Sequence, residues 1–294
     1  MEKLVYIILV NYNGLNDTIE CLNSIQKSNY KNYKVLIIDN NSPDKSGIEL
    51  KKRFSQYEFI LNEENLGFAK ANNLGYQYAL KKKAEYILLL NNDTIIDSDM
   101  INELISNSNK NTITVPKMYY YNSDILWYAG GKISINKGTA YHLGEKKKDC
   151  KKFSEKMQVS FATGCCMLIH KDILKEIGLF DEAYFMYCED FDFSLKLQKK
   201  SKIIIFSPKA KLWHKVNAST KNNSNISKYY LTRNRFYLLK KHKNYFNPLS
   251  TIYTYITRLI ILMLSFLKKD DYKIYIMAWN DYKKLKMGIK VFEY

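Results

Sequence analysis

Residues 86–93 read YILLLNND, an apolar run that stops abruptly at Asn91, Asn92 and Asp93. An uninterrupted apolar run closed by two amides and a carboxylate fits a strand buried on both faces of a parallel sheet. In such sheets ligands sit in the crevice beyond the carboxyl ends of the strands. Hard oxygen donors at that edge suit a metal ion together with phosphate groups. The chain on the N-terminal side agrees with this reading. Apolar runs at 5–10, 35–38, 59–61 and 86–90 are each followed by a helix-like stretch, at 17–27, 47–54, 68–83 and 98–108. That βαβαβαβα order predicts a mostly parallel central sheet with helices on both faces. Asn16 or Asp17 is expected to cap the first helix, and Asp97 or Ser98 the fourth. No GxGxxG follows the first strand and no GxxxxGK[ST] occurs, so neither a dinucleotide fold of the usual type nor a P-loop is indicated.

The other strand ends carry the same kind of residue. The first run closes in Asn11, Tyr12, Asn13 and Gly14, and the second in Asp39, Asn40, Asn41 and Ser42. Asp39 could accept the imide N–H of a uracil or thymine, and Tyr12 could stack on its ring. Asn, Asp, Gly and Ser also form ordinary turns after strands, which accounts for any one of these clusters taken alone. Three such clusters on one rim are harder to assign to turns. Between the third and fourth strands lies ENLGFAKANNLG, 64–75. Gly67 would open a helix whose first amides face a diphosphate, with Asn65, Asn72 and Asn73 as neutral donors.

A second acidic constellation, FDEAYFMYCEDFDFSLKLQKK at 180–200, holds Asp181, Glu182, Glu189, Asp190 and Asp192 among interleaved aromatics. Acids at a helix start favour the dipole, so a plain N-terminal role explains them. A general base in a partly desolvated cleft explains equally well why two adjacent carboxylates are framed by aromatic rings.

Composition narrows the class. The 294 residues are 46% hydrophobic and 14% aromatic, as in a globular protein large enough for one big domain or one domain with an appendage. Five cysteines without a CxxC spacing indicate neither a disulfide framework nor a zinc site, and suit a reduced, cytoplasmic setting. The N-terminus enters a strand directly, with no secretory leader pattern. The net charge of +17 is localised: residues 195–294 carry 22 Lys/Arg against 4 Asp/Glu, whereas residues 1–194 are balanced. Such a skew points to an anionic surface. From about residue 225 the chain reads as a basic, amphipathic helical extension. Residues 229–241 are expected to form an amphipathic helix with Leu231, Leu238 and Leu239 on its apolar side. The run LSTIYTYITRLIILMLSFLKK follows. Its uncharged part between Arg258 and Lys268 is nine residues, short of the ~20 of a spanning helix. Docking on a membrane surface is therefore expected in preference to spanning, with core packing or a dimer contact as the alternative.

Taken together, NYNG, IIDNNSPD, ENLGFAKANNLG, LLLNNDT, GCCMLIHK, LFDEAYFMYCEDFDFSLKLQ, WHKVNAST and YYLTRNRFYLLKK resemble, in order, the motifs of family 2 glycosyltransferases of GT-A fold, over roughly residues 4–245. The nearest likeness is to the rhamnosyltransferase and galactofuranosyltransferase branch. The resemblance implies a catalytic domain at 1–224, a helical region at 225–294, and an inverting transfer from a UDP- or dTDP-sugar to a saccharide or lipid-linked acceptor. It further implies a divalent cofactor, Mn2+ or Mg2+, and a role in cell-envelope polysaccharide synthesis at the cytoplasmic face of the membrane. Asn91, Asn92 and Asp93 stand at the DxD motif, with Asp93 as the metal-binding acid and Asn91 in place of the first Asp. His214 matches a histidine that completes the metal site. Asp39, with Asn11 and Tyr12, matches the nucleobase reader, and Arg233 and Asn234 a reach towards the diphosphate. Asp190 matches the catalytic base, with Glu189 beside it to orient the acceptor. Gly164 and Trp127, the latter followed by Gly130 and Gly131, fall on the acceptor side. A non-catalytic sugar-nucleotide scaffold is the main alternative. A basic nucleic-acid-binding protein fits less well, since no such module motif is present.

Overall fold

The computed structural model describes residues 2–216, 224–268 and 272–292. Strand β1 (Val5–Asn11) leads through helix α1 (Leu15–Gln26) to β2 (Tyr33–Asp39), α2 (Ser46–Arg53), β3 (Glu58–Leu61), α3 (Gly67–Lys81) and β4 (Tyr86–Leu90). These strands pair in parallel in the order β3-β2-β1-β4. All of β4 is buried, which is why its run needs no polar alternation. Helix α3 lies close on the sheet because residue 75 is glycine: a Cβ there would stand 2.7 Å from Ile8 Cγ2 and 2.9 Å from Ile38 Cδ1.

The second half departs from simple alternation. It comprises β5 (Thr94–Ile96), α4 (Met100–Ser106), β6 (Thr112–Tyr120), β7 (Ile125–Tyr128), β8 (Gly131–Ser134), β9 (Thr139–His142), β10 (Lys147–Lys148), β11 (Met157–Val159), β12 (Cys166–His170), α5 (Lys171–Ile177), α6 (Glu189–Lys199) and β13 (Ile203–His214). Strand β12 inserts antiparallel between β4 and β6, with Cys166 opposite Leu90. Strand β13 runs parallel to β6, shifts register between Ser207 and Lys211, and also pairs antiparallel with β5, so that His214 faces Thr94. Two long-range pairings thus bring distant segments to the rim where β4 ends.

The expected caps are not used. Gly14 precedes α1 without a side-chain bond. Asp17, inside the first turn, pairs instead with Lys215 at 2.7 Å. Asp99, not Asp97 or Ser98, occupies the N-cap of α4, and the Asp97 carboxylate accepts the Asp99 amide. In each case a tertiary or local-turn partner outcompetes the cap.

Helices α7 (Ser224–Lys241), α8 (Pro248–Leu267) and α9 (Lys273–Lys283) complete the described chain. Helix α7 joins the main core through Leu238 and Leu239, whereas Leu231 is exposed, contrary to the expected apolar face. Tyr229 and Tyr230 face a separate cluster with Ile274 and Ala278 of α9. Apolar residues therefore lie around α7, because it packs against two different neighbours.

Candidate active site

Two adjoining cavities, each about 330 Å3, open beyond the carboxyl end of β4 and share Asn91, Asp93, Phe68 and Met186. The first is bounded by strand ends at Tyr12, Asn40 and Asn92, by Asn65 and Gly67, and by Tyr230 of α7. The second contains Trp127, Gly164, Glu189, Asp190 and His214. Tyr12, Asn65, Gly67 and Asn92 of the expected donor side and Trp127 and Gly164 of the expected acceptor side thus line two halves of one cleft meeting at Asn91 and Asp93.

Beneath the first cavity lies a buried polar cluster. The Asn11 side-chain amide donates to Asp39 Oδ1 at 2.7 Å and to Ser46 Oγ at 2.8 Å, while its oxygen accepts from Thr18 at 3.0 Å. Asp39 also accepts the Ser42 hydroxyl at 2.6 Å and the Ser42 amide at 3.0 Å. Asn92 donates to Thr18 Oγ1 at 2.8 Å. Asn11 and Asp39 are therefore below the cavity wall, where they fix the strand-end turns; Asn40, one residue on, lines it. Buried amides and carboxylates must be paired, and here they pair with one another.

Gly67 has φ +76, and a Cβ there would lie 2.5 Å from the Phe185 carbonyl oxygen, so the position requires glycine. Its amide donates to Asn65 Oδ1 at 2.9 Å and the Phe68 amide donates to the Phe185 carbonyl at 2.8 Å. The first two amides of α3 are thereby taken, which corrects the expectation that they face a diphosphate. Asn72 donates back to the Phe68 carbonyl, and Asn73 binds Phe180 and Glu182, so neither lines a cavity. Arg233 is also elsewhere. It is 1% exposed, stacks near the rings of Tyr229 and Tyr230, and donates to the carbonyls of Lys286 and Gly288. It has no carboxylate partner among the described residues and instead fastens the C-terminal segment to α7. That segment had no signal in the sequence, yet Ile289, Lys290 and Phe292 line the first cavity.

The approach to α6 is strained. Tyr187 and Cys188 have φ of 68° and 72°, a left-handed conformation that costs on the order of 1–3 kcal/mol per residue. Asn234 holds this turn, donating to the carbonyls of Met186 and Tyr187 at 2.8 and 2.9 Å, which is its role in place of a reach to the diphosphate. The turn places Glu189 and Asp190 at the head of α6, facing the second cavity. Asp190 is clamped: Oδ2 accepts the Gly164 amide at 2.9 Å and Oδ1 the Phe191 amide at 2.7 Å. Gly164 thus brings its backbone to Asp190. A Cβ there would be 3.1 Å from the Phe68 ring.

Burial pushes the Asp190 carboxyl up from its ordinary value, against the opposing pull of these amides. Glu189 is pushed well up by burial and then by Asp190, and its Oε2 is buried without a hydrogen-bond partner. Glu189→Gln follows as a stability test. A carboxyl whose folded value is raised favours folding below its unfolded value, about 4.3, and that contribution is lost as pH rises through the folded value. The amide has no proton to lose. The variant is therefore expected to gain about 1–3 kcal/mol over the parent at pH 8, with the gain shrinking towards the unfolded value. Urea melts at several pH values check this; a gain that does not vary with pH would contradict it.

His214 Nε2 lies 3.1 Å from Asp93 Oδ1, but not in hydrogen-bond geometry, and both Asp93 Oδ1 and His214 Nδ1 are buried without partners. The Trp127 ring packs on His214 at 4.4 Å and on His142 at 4.6 Å. His142, a lone histidine without a sequence signal, lines the second cavity, and burial lowers its pKa. Cys165 and Cys166 are buried and free, in keeping with small packing residues. Ser219 of the WHKVNAST segment lies outside the described residues. Among the described residues no group of three or more His, Cys, Asp or Glu is disposed to hold a metal. Asp93 and His214 offer a two-sided donor set with an orphaned oxygen, which fits an ion whose remaining ligands come from a phosphate-bearing substrate and water.

Comparison with known proteins identifies the family. The model of "Glycosyl transferase family 2" matches residues 6–178. An uncharacterized glycosyltransferase of Rickettsia typhi is 27% identical, over 69% of this chain and 61% of its own. The dTDP-rhamnosyl transferase RfbF of Shigella flexneri is 24% identical over 82% of each chain. Rhamnosyltransferase WbbL of Escherichia coli (strain K12) is 28% identical over 66% of this chain and 76% of its own. Among solved structures, S. aureus TarS 1-349 in complex with UDP-GlcNAc superposes with a TM-score of 0.62 at 17% identity, covering 97% of this chain and 81% of that one. GalNAc-T7 with UDP, GalNAc and Mn2+ gives 0.60 at 17% identity, over 72% and 44%. These likenesses establish the GT-A fold, with the additional C-terminal helices as expected. Since the family model spans more than half of the sequence and meets the strands that build the cleft, the chain belongs to glycosyl transferase family 2.

Proposed function

We propose that the protein is a metal-dependent inverting glycosyltransferase that moves a sugar from a UDP- or dTDP-sugar to a hydroxyl of a saccharide carried on a lipid, in cell-envelope glycan synthesis. The observation that carries this reading is the juxtaposition, across one cleft, of the orphaned Asp93–His214 pair with the amide-clamped Asp190. The relatives RfbF and WbbL support a deoxyhexose donor, and the solved structures with UDP or UDP-GlcNAc support a nucleotide sugar.

The donor occupies the first cavity, with Tyr12 as a stacking surface. Asp39 lies below this cavity and bears on the base edge through the strand-end turn it fixes, which presents Asn40 to the cavity. The diphosphate lies towards Asn91, Asn92 and Asp93. A bound Mn2+ or Mg2+, held by Asp93 and His214 with Asn91 nearby, supplies electrostatic stabilisation of the departing diphosphate. The acceptor enters the second cavity past Trp127. Its hydroxyl oxygen attacks the anomeric carbon as the bond to the diphosphate breaks, and Asp190 takes the hydroxyl proton. The hydrogen bonds from the Gly164 and Phe191 amides hold the carboxylate in one orientation. A single displacement of this kind inverts the anomeric centre. Residues 1–224 act as the catalytic domain, and the helical region 225–294 supplies one wall of the donor cavity. The meeting of Asp93, Asp190 and His214 on one cavity favours a working enzyme over a scaffold, and the cleft lies between strand ends rather than on the basic surface that nucleic acid would require.

Thermal melts against UDP, dTDP, GDP and CDP, each with and without Mn2+, test the reading. Stabilisation by one pyrimidine diphosphate that requires the metal is expected; no response to any nucleotide at millimolar concentration would remove it.

A further inference from the structure

Helix α8 is inverted with respect to an ordinary surface helix. Its fully buried residues are Ser250, Thr254 and Ser265, while Leu249, Ile252, Ile256, Leu259, Ile260 and Met263 form an exposed apolar stripe, each about half or more exposed. Exposed apolar patches rimmed by polar residues mark interaction or membrane surfaces. The helix is also longer than the nine-residue uncharged run implied. It is continuous for 20 residues, with a mean hydropathy of 1.5, and Arg258 is its only charge. At about 1.5 Å per residue it could reach across a bilayer core. Its packing argues against that. Along its length it is fixed to the body: Asn247 donates to the Ile135 carbonyl in the β8–β9 hairpin tip, Tyr255 packs on Phe236 and Trp279, and Phe266 packs on Tyr272. A helix held along one face can present the other face to lipid without crossing it.

We propose that the outer face of α8, with the adjoining hairpin tip at Ile135 and Lys137, is an interfacial docking surface for an anionic bilayer. The charge pattern selects lipid over a second copy of the chain. Residues 240–268 contain Lys240, Lys243, Arg258 and Lys268, besides Lys241, which pairs inward with Asp181 and Asp192, and no Asp or Glu. Lys137 extends over the Tyr253 ring at the edge of the stripe. Two such faces would repel one another, whereas an acidic cytoplasmic leaflet attracts the cations as the apolar stripe sinks into the headgroup boundary. Ile135, 49% exposed, continues the apolar surface onto the hairpin.

Flotation of the full-length protein with vesicles of phosphatidylcholine alone or mixed with phosphatidylglycerol tests this without any sugar nucleotide, so its outcome is independent of the proposed reaction. Wild type is expected to float with the mixed vesicles, less so as salt rises, and to be released by alkaline carbonate. The double variant Ile256→Glu, Met263→Glu, at exposed positions, is expected to lose at least about ten-fold of the bound fraction while keeping its melting temperature. Absence of binding by wild type, resistance to carbonate, or a wild-type dimer in light scattering that the double variant abolishes would each overturn the proposal.

Discussion

Replacing Asp190 by Asn is expected to lower kcat by about 10²–10⁴-fold while leaving metal-dependent binding of the nucleotide intact. The amide keeps the shape of the carboxylate and can still accept from one of the Gly164 and Phe191 amides, but it cannot take a proton. Single-turnover transfer and nucleotide melts on the same preparation separate the two quantities. Retention of full transferase activity would show that another group serves as base, and Glu189, with its unpartnered Oε2, is the neighbour to test next. The pH profile carries a second check. Burial raises the Asp190 carboxyl, and a base must be ionised to act, so kcat should rise with pH through a value above the usual carboxylate range of about 3.9. This acidic limb should be absent from the residual rate of Asp190→Asn.

The second large effect is expected at the opposite wall of the cleft. Asp93→Ala should abolish the metal-dependent stabilisation by nucleotide, which for a ligand at one hundred times its Kd amounts to about 2.7 kcal/mol in the parent. His214→Ala should weaken it in the same direction and by less, since the carboxylate remains. Both variants are expected to fold, because Asp93 Oδ1 and His214 Nδ1 are without hydrogen-bond partners and their removal relieves buried polarity. Isothermal titration with Mn2+ and the preferred diphosphate measures the loss. Equal nucleotide affinity in Asp93→Ala and wild type would place the phosphate site elsewhere in the cavity.

The parallel half of the sheet was legible because its determinants are local. The runs at 5–10, 35–38 and 86–90 are apolar because their strands are buried, while 59–61 forms the partly exposed edge strand, and the helices between them follow from chain reversal in a parallel sheet. The site residues around Asp93 and Asp190 were visible as types, through ordered motifs whose chemistry requires carboxylates and amides. Arg233 and Asn234 show the limit. A guanidinium and an amide on a basic helix look like phosphate ligands in one dimension, yet Arg233 Nη1 goes to carbonyls of the C-terminal segment, with Nη2 left unpartnered, and the Asn234 amide to the strained turn before α6. Asn72 and Asn73 were misplaced for the same reason: a buried amide goes to whichever carbonyl folding brings to it.

The amino-acid sequence by itself determined the βα order, the chemistry at each strand end and the concentration of basic charge after residue 195, because periodicity, side-chain type and charge are properties of the chain alone. Tertiary structure decided which of these groups meet. Antiparallel insertion of β12 beside β4 carries Gly164 and Asp190 to the cleft, and pairing of β13 with β5 carries His214 to Asp93 across 121 positions of sequence. It also decided that α8 turns Ser250, Thr254 and Ser265 inward and Ile252, Ile256, Leu259 and Ile260 outward, since only packed neighbours define which side of a helix is inside.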